Sequence, residues 1–330
     1  MRTTLMEMAA LVLACAAGSR GQSAEPLQPA QTIEMPGVKG RIDHLAPDVA
    51  GKRLFVAALG NNTVEVIDLA AGKVIRQIGG LLEPQGILFL PEANQVVVAN
   101  GQDGSVRVFN AVTYEQQEKI EYNDDADNLR FDPAARRMYV GYGAGGLGAI
   151  DAAKMTDAGR IPLGVHPESF QLERKGKRIF VNLPDARKIA VIDRQKNAVI
   201  AEWPMGENLA NFPMALDEEN HRLFVGCRKP AKVVVLDTES GNVAGEMECS
   251  GDTDDLFCDA KLKRLYVACG EGFLDVFGME GADKFKRTAH IPTAKGARTA
   301  LFVPDLATLY LAVSAQGKQS AEIRVFKTQP

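Results

Sequence analysis

Short apolar runs, each led by a polar residue, recur along the chain at a nearly fixed interval. The first is Arg53-Leu-Phe-Val-Ala57. It returns as Gln95-Val-Val-Val-Ala99, Arg137-Met-Tyr-Val-Gly141, Arg178-Ile-Phe-Val-Asn182, Arg222-Leu-Phe-Val-Gly226, Arg264-Leu-Tyr-Val-Ala268 and Thr308-Leu-Tyr-Leu-Ala312, at steps of 42, 42, 41, 44, 42 and 44 residues. A second run follows each copy, as in Val64-Glu-Val-Ile-Asp68, Ile189-Ala-Val-Ile-Asp193 and Val233-Val-Val-Leu-Asp237. Runs of five rich in β-branched and aromatic residues are strands rather than helices. Where a run ends in Asp, as at Asp68, Asp151, Asp193 and Asp237, a short turn follows in which the carboxylate can accept from the backbone. A third, weaker strand follows that turn, and a fourth precedes each copy.

Four short strands per forty-odd residues is the arithmetic of a β-propeller blade. One blade cannot bury both faces of its sheet, so seven must stack around an axis. The expected fold is therefore all-β: a seven-bladed propeller of four-stranded blades. After the last copy the chain stops at Phe326-Lys-Thr-Gln-Pro330, too soon for an outer strand. Thr32-Ile-Glu-Met-Pro-Gly37 has the look of the outer strands Arg160-Ile-Pro-Leu-Gly164 and Glu202-Trp-Pro-Met-Gly206. It is expected to supply the missing strand and so remove two exposed sheet edges.

The repeats lack the WD dipeptide and the Gly-His pair of WD40 units. They resemble instead the YVTN repeat, as in Arg53-Leu-Phe-Val-Ala-Ala-Leu-Gly-Asn-Asn-Thr-Val-Glu-Val-Ile-Asp68, and blade 4, Arg178 to Gly206, is similar. Residues 30–330 thus resemble the YncE-like family of bacterial seven-bladed propellers. The resemblance implies an exported binding or cell-envelope role and names no ligand. Blades 3 and 6 depart from the pattern, with Gly-rich or shortened middles at Gly141–Gly148 and Gly270–Gly272.

Composition adds little to the fold and more to the setting. The 330 residues carry a formal charge of −4, with no long basic run, which gives no electrostatic case for nucleic acid. Arg2, the apolar stretch Met8–Ala17 and the small and polar residues after it read as a signal peptide, too short to span a bilayer. Residues 1–24 are assigned to this leader, 25–30 to a linker and 31–330 to the propeller. Val12-Leu-Ala-Cys15 also resembles a lipobox, so a lipid anchor at Cys15 is the alternative to a periplasmic or extracellular protein without one. Cys227, Cys249, Cys258 and Cys269 have no C-x-x-C spacing and read as small buried strand residues.

Candidate chemistry gathers just ahead of the innermost strands. In register with the repeat, Asp43, Gln85, Asp127, Glu168, Phe212, Asp254 and Arg298 share one position, and His44, Gly86, Asn128, Ser169, Pro213, Asp255 and Thr299 the next. The loops carrying them converge on one mouth of the central channel. His166, Asn211, Asp124, Asp125 and Asp252 are close companions, and Arg187, Lys188, Arg228, Lys229 and Lys232 add a partly basic rim. An Asp before a strand often only caps a turn. A purely structural demand repeated seven times tends to select one residue type, however, and this ring is asymmetric, as one specific ligand would require. The ring of Asp43, His44, Gln85, Asp127, Asn128, His166, Glu168, Asn211, Asp254, Asp255 and Arg298 is therefore expected to bind a small polar ligand, a metal ion such as Ca²⁺ or another divalent cation, or a segment of a protein partner. The alternative is a metal-assisted lactonase- or lyase-type enzyme at the same mouth, with Glu168 or His166 as base and Arg298 as oxyanion donor. No nucleophile motif supports it. A passive scaffold is the third reading, and nothing in the chain speaks for it.

Overall fold

A computed structural model describes residues 25–143, 145–281 and 283–330. The expected leader, including Cys15, lies outside the described residues. Among the described residues, twenty-eight strands form seven four-stranded antiparallel sheets, six of them following the chain from the channel outward. Blade 1 is typical: Leu45–Asp48 pairs with Arg53–Ala58, then Thr63–Asp68, then Lys73–Ile78. The innermost strands meet their neighbours in sequence around the axis, and that of blade 7, Ala300–Val303, returns to blade 1. No helix among the described residues is long and apolar enough to cross a membrane.

The ring closes as expected. The outer strand of blade 7 is Leu27–Met35, antiparallel to Ala321–Thr328. It begins at Leu27 rather than near residue 31, so most of the stretch assigned to a linker is strand. The reason is apolar: Leu27 is buried beside Tyr266, Leu309 and Phe326, while Ile33 and Met35 fill the next interface.

The repeat motif has a double explanation. Its two central runs form the second and third strands of each blade, whose side chains are nearly all buried between sheets. In four blades the leading arginine reaches the next blade. Arg53 pairs with Asp48 at 2.8 Å and donates to the carbonyl of Ala111 in blade 2. Arg178 bonds Glu173 in its own blade and the Thr238 carbonyl of blade 5. Arg264 reaches the Gln329 carbonyl of blade 7. The terminal aspartates act as the turn chemistry predicts: Asp68 Oδ1 accepts from the amides of Ala70 and Ala71, and Asp193 Oδ1 from those of Gln195 and Lys196.

The Gly-rich middle of blade 3 has a packing cause. A Cβ on Gly148 would stand 2.1 Å from the Tyr122 ring, which crosses the strand there and stacks on Tyr142 with centroids 5.1 Å apart. The four cysteines are free; three are buried and Cys258 is partly so. Burial pushes the Cys227 and Cys258 thiols up to about 12, so neither is a thiolate near neutral pH.

Candidate binding site at the channel mouth

The residues aligned by the repeat share one backbone position. The amides of Asp43, Asp127 and Glu168 donate to Ala57, Gly141 and Asn182, and the carbonyls of His44, Asn128, Ser169 and Thr299 accept in return. In blades 1, 3, 4 and 7 they precede the innermost strand, where the chain crosses from one blade's rim to the next blade's channel edge. In blades 2, 5 and 6 that strand starts earlier, at Pro84, Leu209 and Thr253, so Gln85, Phe212, Asp254 and Asp255 lie within it, beside a shift in register. Asp43, His44, Asp127, Asn128, Glu168, Asp254 and Asp255 line a single narrow cavity with Arg41, Ser169 and Phe212. Five carboxylates and one arginine thus face a space of about 20 Å³, roughly one water.

Blade 6 answers how Asp252, Asp254 and Asp255 tolerate one another. Arg228 of blade 5 and Arg298 of blade 7 reach in from either side. Arg298 holds Asp252 at 2.9 Å and Asp254 at 2.9 Å. Arg228 bonds Asp254 and the Thr253 carbonyl, lies 3.3 Å from Asp252, and stacks its guanidinium 4.0 Å over Phe212. Asp255 instead accepts from the Ala300 amide at 2.7 Å. Part of the ring's asymmetry is therefore internal pairing across blades. Burial holds Asp254 above the ordinary carboxylate range despite Arg228 and Arg298.

The side of the mouth built by blades 3 and 4 is less compensated. Asp127, His166 and Glu168 each bring one donor atom to within 4.8 Å of the other two. Burial, and then the charges of Asp43, Glu168 and Asp125, raise Asp127 well above the usual range. Glu168 is pushed up to about 7 by burial and by Asp254, against the opposing pull of Arg228 and Arg41. His166 Nδ1 and Asn128 Oδ1 are buried without a hydrogen-bond partner, and Asn128 is only 3% exposed. Unsatisfied buried polar atoms are rare and call for a cause. The nearest carboxylate to His166 is Asp125 Oδ2, at 3.8 Å. Burial lowers the pKa of His44 from the ordinary imidazole value.

Three expected residues play other parts. Asn211 is fully buried and donates to Asn182 Oδ1 at 2.9 Å, while Asn182 donates to the Phe212 carbonyl, so this pair locks blade 4 to blade 5. Gln85 does not line the cavity; its Nε2 donates to Asp125 Oδ1 at 2.7 Å. Arg298 is committed to Asp252 and Asp254, which takes it from the role of oxyanion donor. Of the basic rim, Lys188 and Lys232 turn outward to Glu202 and Glu246.

Two arginines escaped the sequence reading. Arg41, two residues before Asp43, pairs with it at 2.7 Å and is 48% exposed at the mouth. Burial would lower its pKa, yet Asp43, Asp254, Asp127 and Glu168 together raise it. Arg130 stands inside the channel. The signal for it was present: it is the one charged residue at a strand position otherwise filled by Ala46, Leu88, Gln171, Ala215, Phe257 and Leu301.

No family model matches the chain, and no curated protein matches its sequence. Solved structures match its fold. A chain of the mitotic checkpoint complex is similar with a TM-score of 0.78 at 12% identity, over 100% of this chain and 99% of that one. One from Kuenenia stuttgartiensis hydrazine synthase gives 0.75 at 17%, over 85% and 95%. The WD40 repeats of RRP9 give 0.79 at 9%, over 92% and 99%. Identities this low carry a fold and no ligand or reaction. The chain is a seven-bladed β-propeller.

Proposed function

We propose that this chain is an exported, YncE-like binding propeller whose channel mouth captures a divalent cation between Asp127, His166 and Glu168. The carrying observation is the convergence of those three donors within 4.8 Å, beside the unpartnered Asn128 Oδ1. Two carboxylates and an imidazole suit Zn²⁺ or Mn²⁺ better than Ca²⁺, which takes six to eight oxygens. A cation there would relieve the repulsion that raises Asp127 and Glu168, and its solvent-facing positions would be left for water or a small polar ligand. Export is supported by the leader-like first 24 residues.

The test is thermal melting with Zn²⁺, Mn²⁺ or Ca²⁺ against EDTA, on wild type and on His166→Ala and Glu168→Gln. A cation at a hundredfold its Kd adds about 2.7 kcal/mol. The expected result is a higher Tm with Zn²⁺ or Mn²⁺ that both variants lose. No shift with any of the three ions sinks the reading. Catalysis is the second reading, favoured by Glu168 at about 7, where a carboxylate serves as a general base. It is weakened by the internal commitment of Arg298.

A further inference from the structure

Behind the carboxylate ring the channel widens into a cavity of about 300 Å³, the lower end of the range for small-molecule sites. Its walls are largely apolar, with Ile87, Phe89, Phe257 and Leu301 among them, and its polar side chains are His44, Arg130, Gln171 and Asp255. Two of these are already engaged: Gln171 donates to the Met214 carbonyl at 2.9 Å, and Asp255 accepts from Ala300. Arg130 is different. Its guanidinium donates to the carbonyl of Leu129 at 2.8 Å and lies 5.6 Å over the Phe170 ring. Among the described residues it forms no ion pair, and the charges of Asp255 and Asp127 act on it only from farther off, whereas Arg41, Arg228 and Arg298 at the mouth are all paired. It also borders a second cavity of about 520 Å³ between blades 3 and 4, near Asp132 and Arg194, so it can be approached from the face opposite the mouth.

We infer that the channel interior is a second binding site, for a small organic carboxylate with an apolar body, anchored by Arg130. A guanidinium offers five N–H donors in a planar fork that matches a carboxylate in two-point contact. One bond to a backbone carbonyl leaves most of that fork unused. The apolar walls around it would take the remainder of the ligand. Arginine at a position its sister blades fill with neutral residues is what a single anchoring point demands. The site is separate from the cation at the mouth and does not depend on it.

The probes are benzoate and hexanoate, with benzamide as the uncharged isostere of benzoate, titrated calorimetrically in EDTA so that no mouth cation contributes. Benzoate or hexanoate is expected to bind at least tenfold more tightly than benzamide, and Arg130→Gln to lose at least tenfold while Arg130→Lys retains part of the affinity. Leu301→Trp, which fills the cavity and leaves Arg130 in place, is expected to abolish binding and keeps the test open if Arg130→Gln fails to fold. Equal binding of benzoate and benzamide, unchanged affinity in Arg130→Gln or in Leu301→Trp, or no binding by folded wild type overturns the site. Inorganic phosphate binding where the carboxylates do not overturns the carboxylate assignment. The metal-dependent melting of the mouth would survive any of these failures.

Discussion

Glu168 is where burial and charge act most visibly on one residue. With its pKa raised from the ordinary 4.5 to about 7, the folded protein keeps a proton that the unfolded chain has already released. Stability from this group is fully present below about 4.5 and falls as pH rises through about 7. In EDTA, Glu168→Gln is therefore expected to flatten the fall in Tm between pH 5 and 8 and to melt higher than wild type at pH 8. A variant that melts lower at pH 8 would show that the carboxylate is compensated there. Arg228 makes the opposite case. Arg228→Met leaves Asp254 with Arg298 alone and strips the stack on Phe212. Breaking a buried pair costs about 3 kcal/mol, and Asp254 is only 14% exposed, so a denaturant midpoint within experimental error of wild type would refute the pairing. Such partnerships were hidden in the sequence. The ring of polar residues was legible because the repeat aligns them, but Asp254 meets Arg228 and Arg298 only after three blades have stacked. Asn211 looked like its ring neighbours and is instead a buried bond between sheets.

At the scale of strands, the repeat made nearly everything legible. The leading arginine, the apolar core of each run and the Asp-capped turn each appear where the pattern put them. The exceptions are local. Blade 3 carries Gly148 in a strand because Tyr122 occupies the room of a side chain, a contact between residues 26 apart that no period reveals. Gly148→Ala must displace that ring and its stack on Tyr142. Overpacking of this kind costs about 1–3 kcal/mol, and an unperturbed Tm would show that the ring yields freely. The closing strand was found from its likeness to other outer strands, yet its start was placed late because Leu27 lies before the aligned segment. Removing residues 25–35 exposes the sites of Leu27, Ile33 and Met35, each worth about 1.5–3 kcal/mol when fully buried. The sum approaches the whole stability of a typical domain, so the truncated chain is expected to lose its cooperative melting transition. Retention of a sharp transition would mean that the ring holds without its clasp.

Across the whole molecule, seven similar units produce two unlike regions on one axis: a mouth dense in carboxylate and an interior with one unpaired guanidinium. Neither belongs to a blade. Each exists because a ring brings side chains from Arg41 to Leu301 to a common centre. Four of the arginines that open the repeats, Arg53, Arg178, Arg222 and Arg264, have a whole-molecule role as well, since each carries a bond across a seam. Arg53→Ala is expected to weaken the junction of blades 1 and 2 first, seen as faster amide exchange in the strands of those two blades than in blades 4 and 5. Uniform exchange throughout the ring would indicate that the seams open together.

The clasp of blade 7 joins the first residues of the domain to the last. A chain still emerging from a ribosome holds one half of that sheet without the other. Full resistance to proteases should therefore arrive only when residue 328 is delivered, and any processing that trims the start must stop short of Leu27 to leave the circle able to shut.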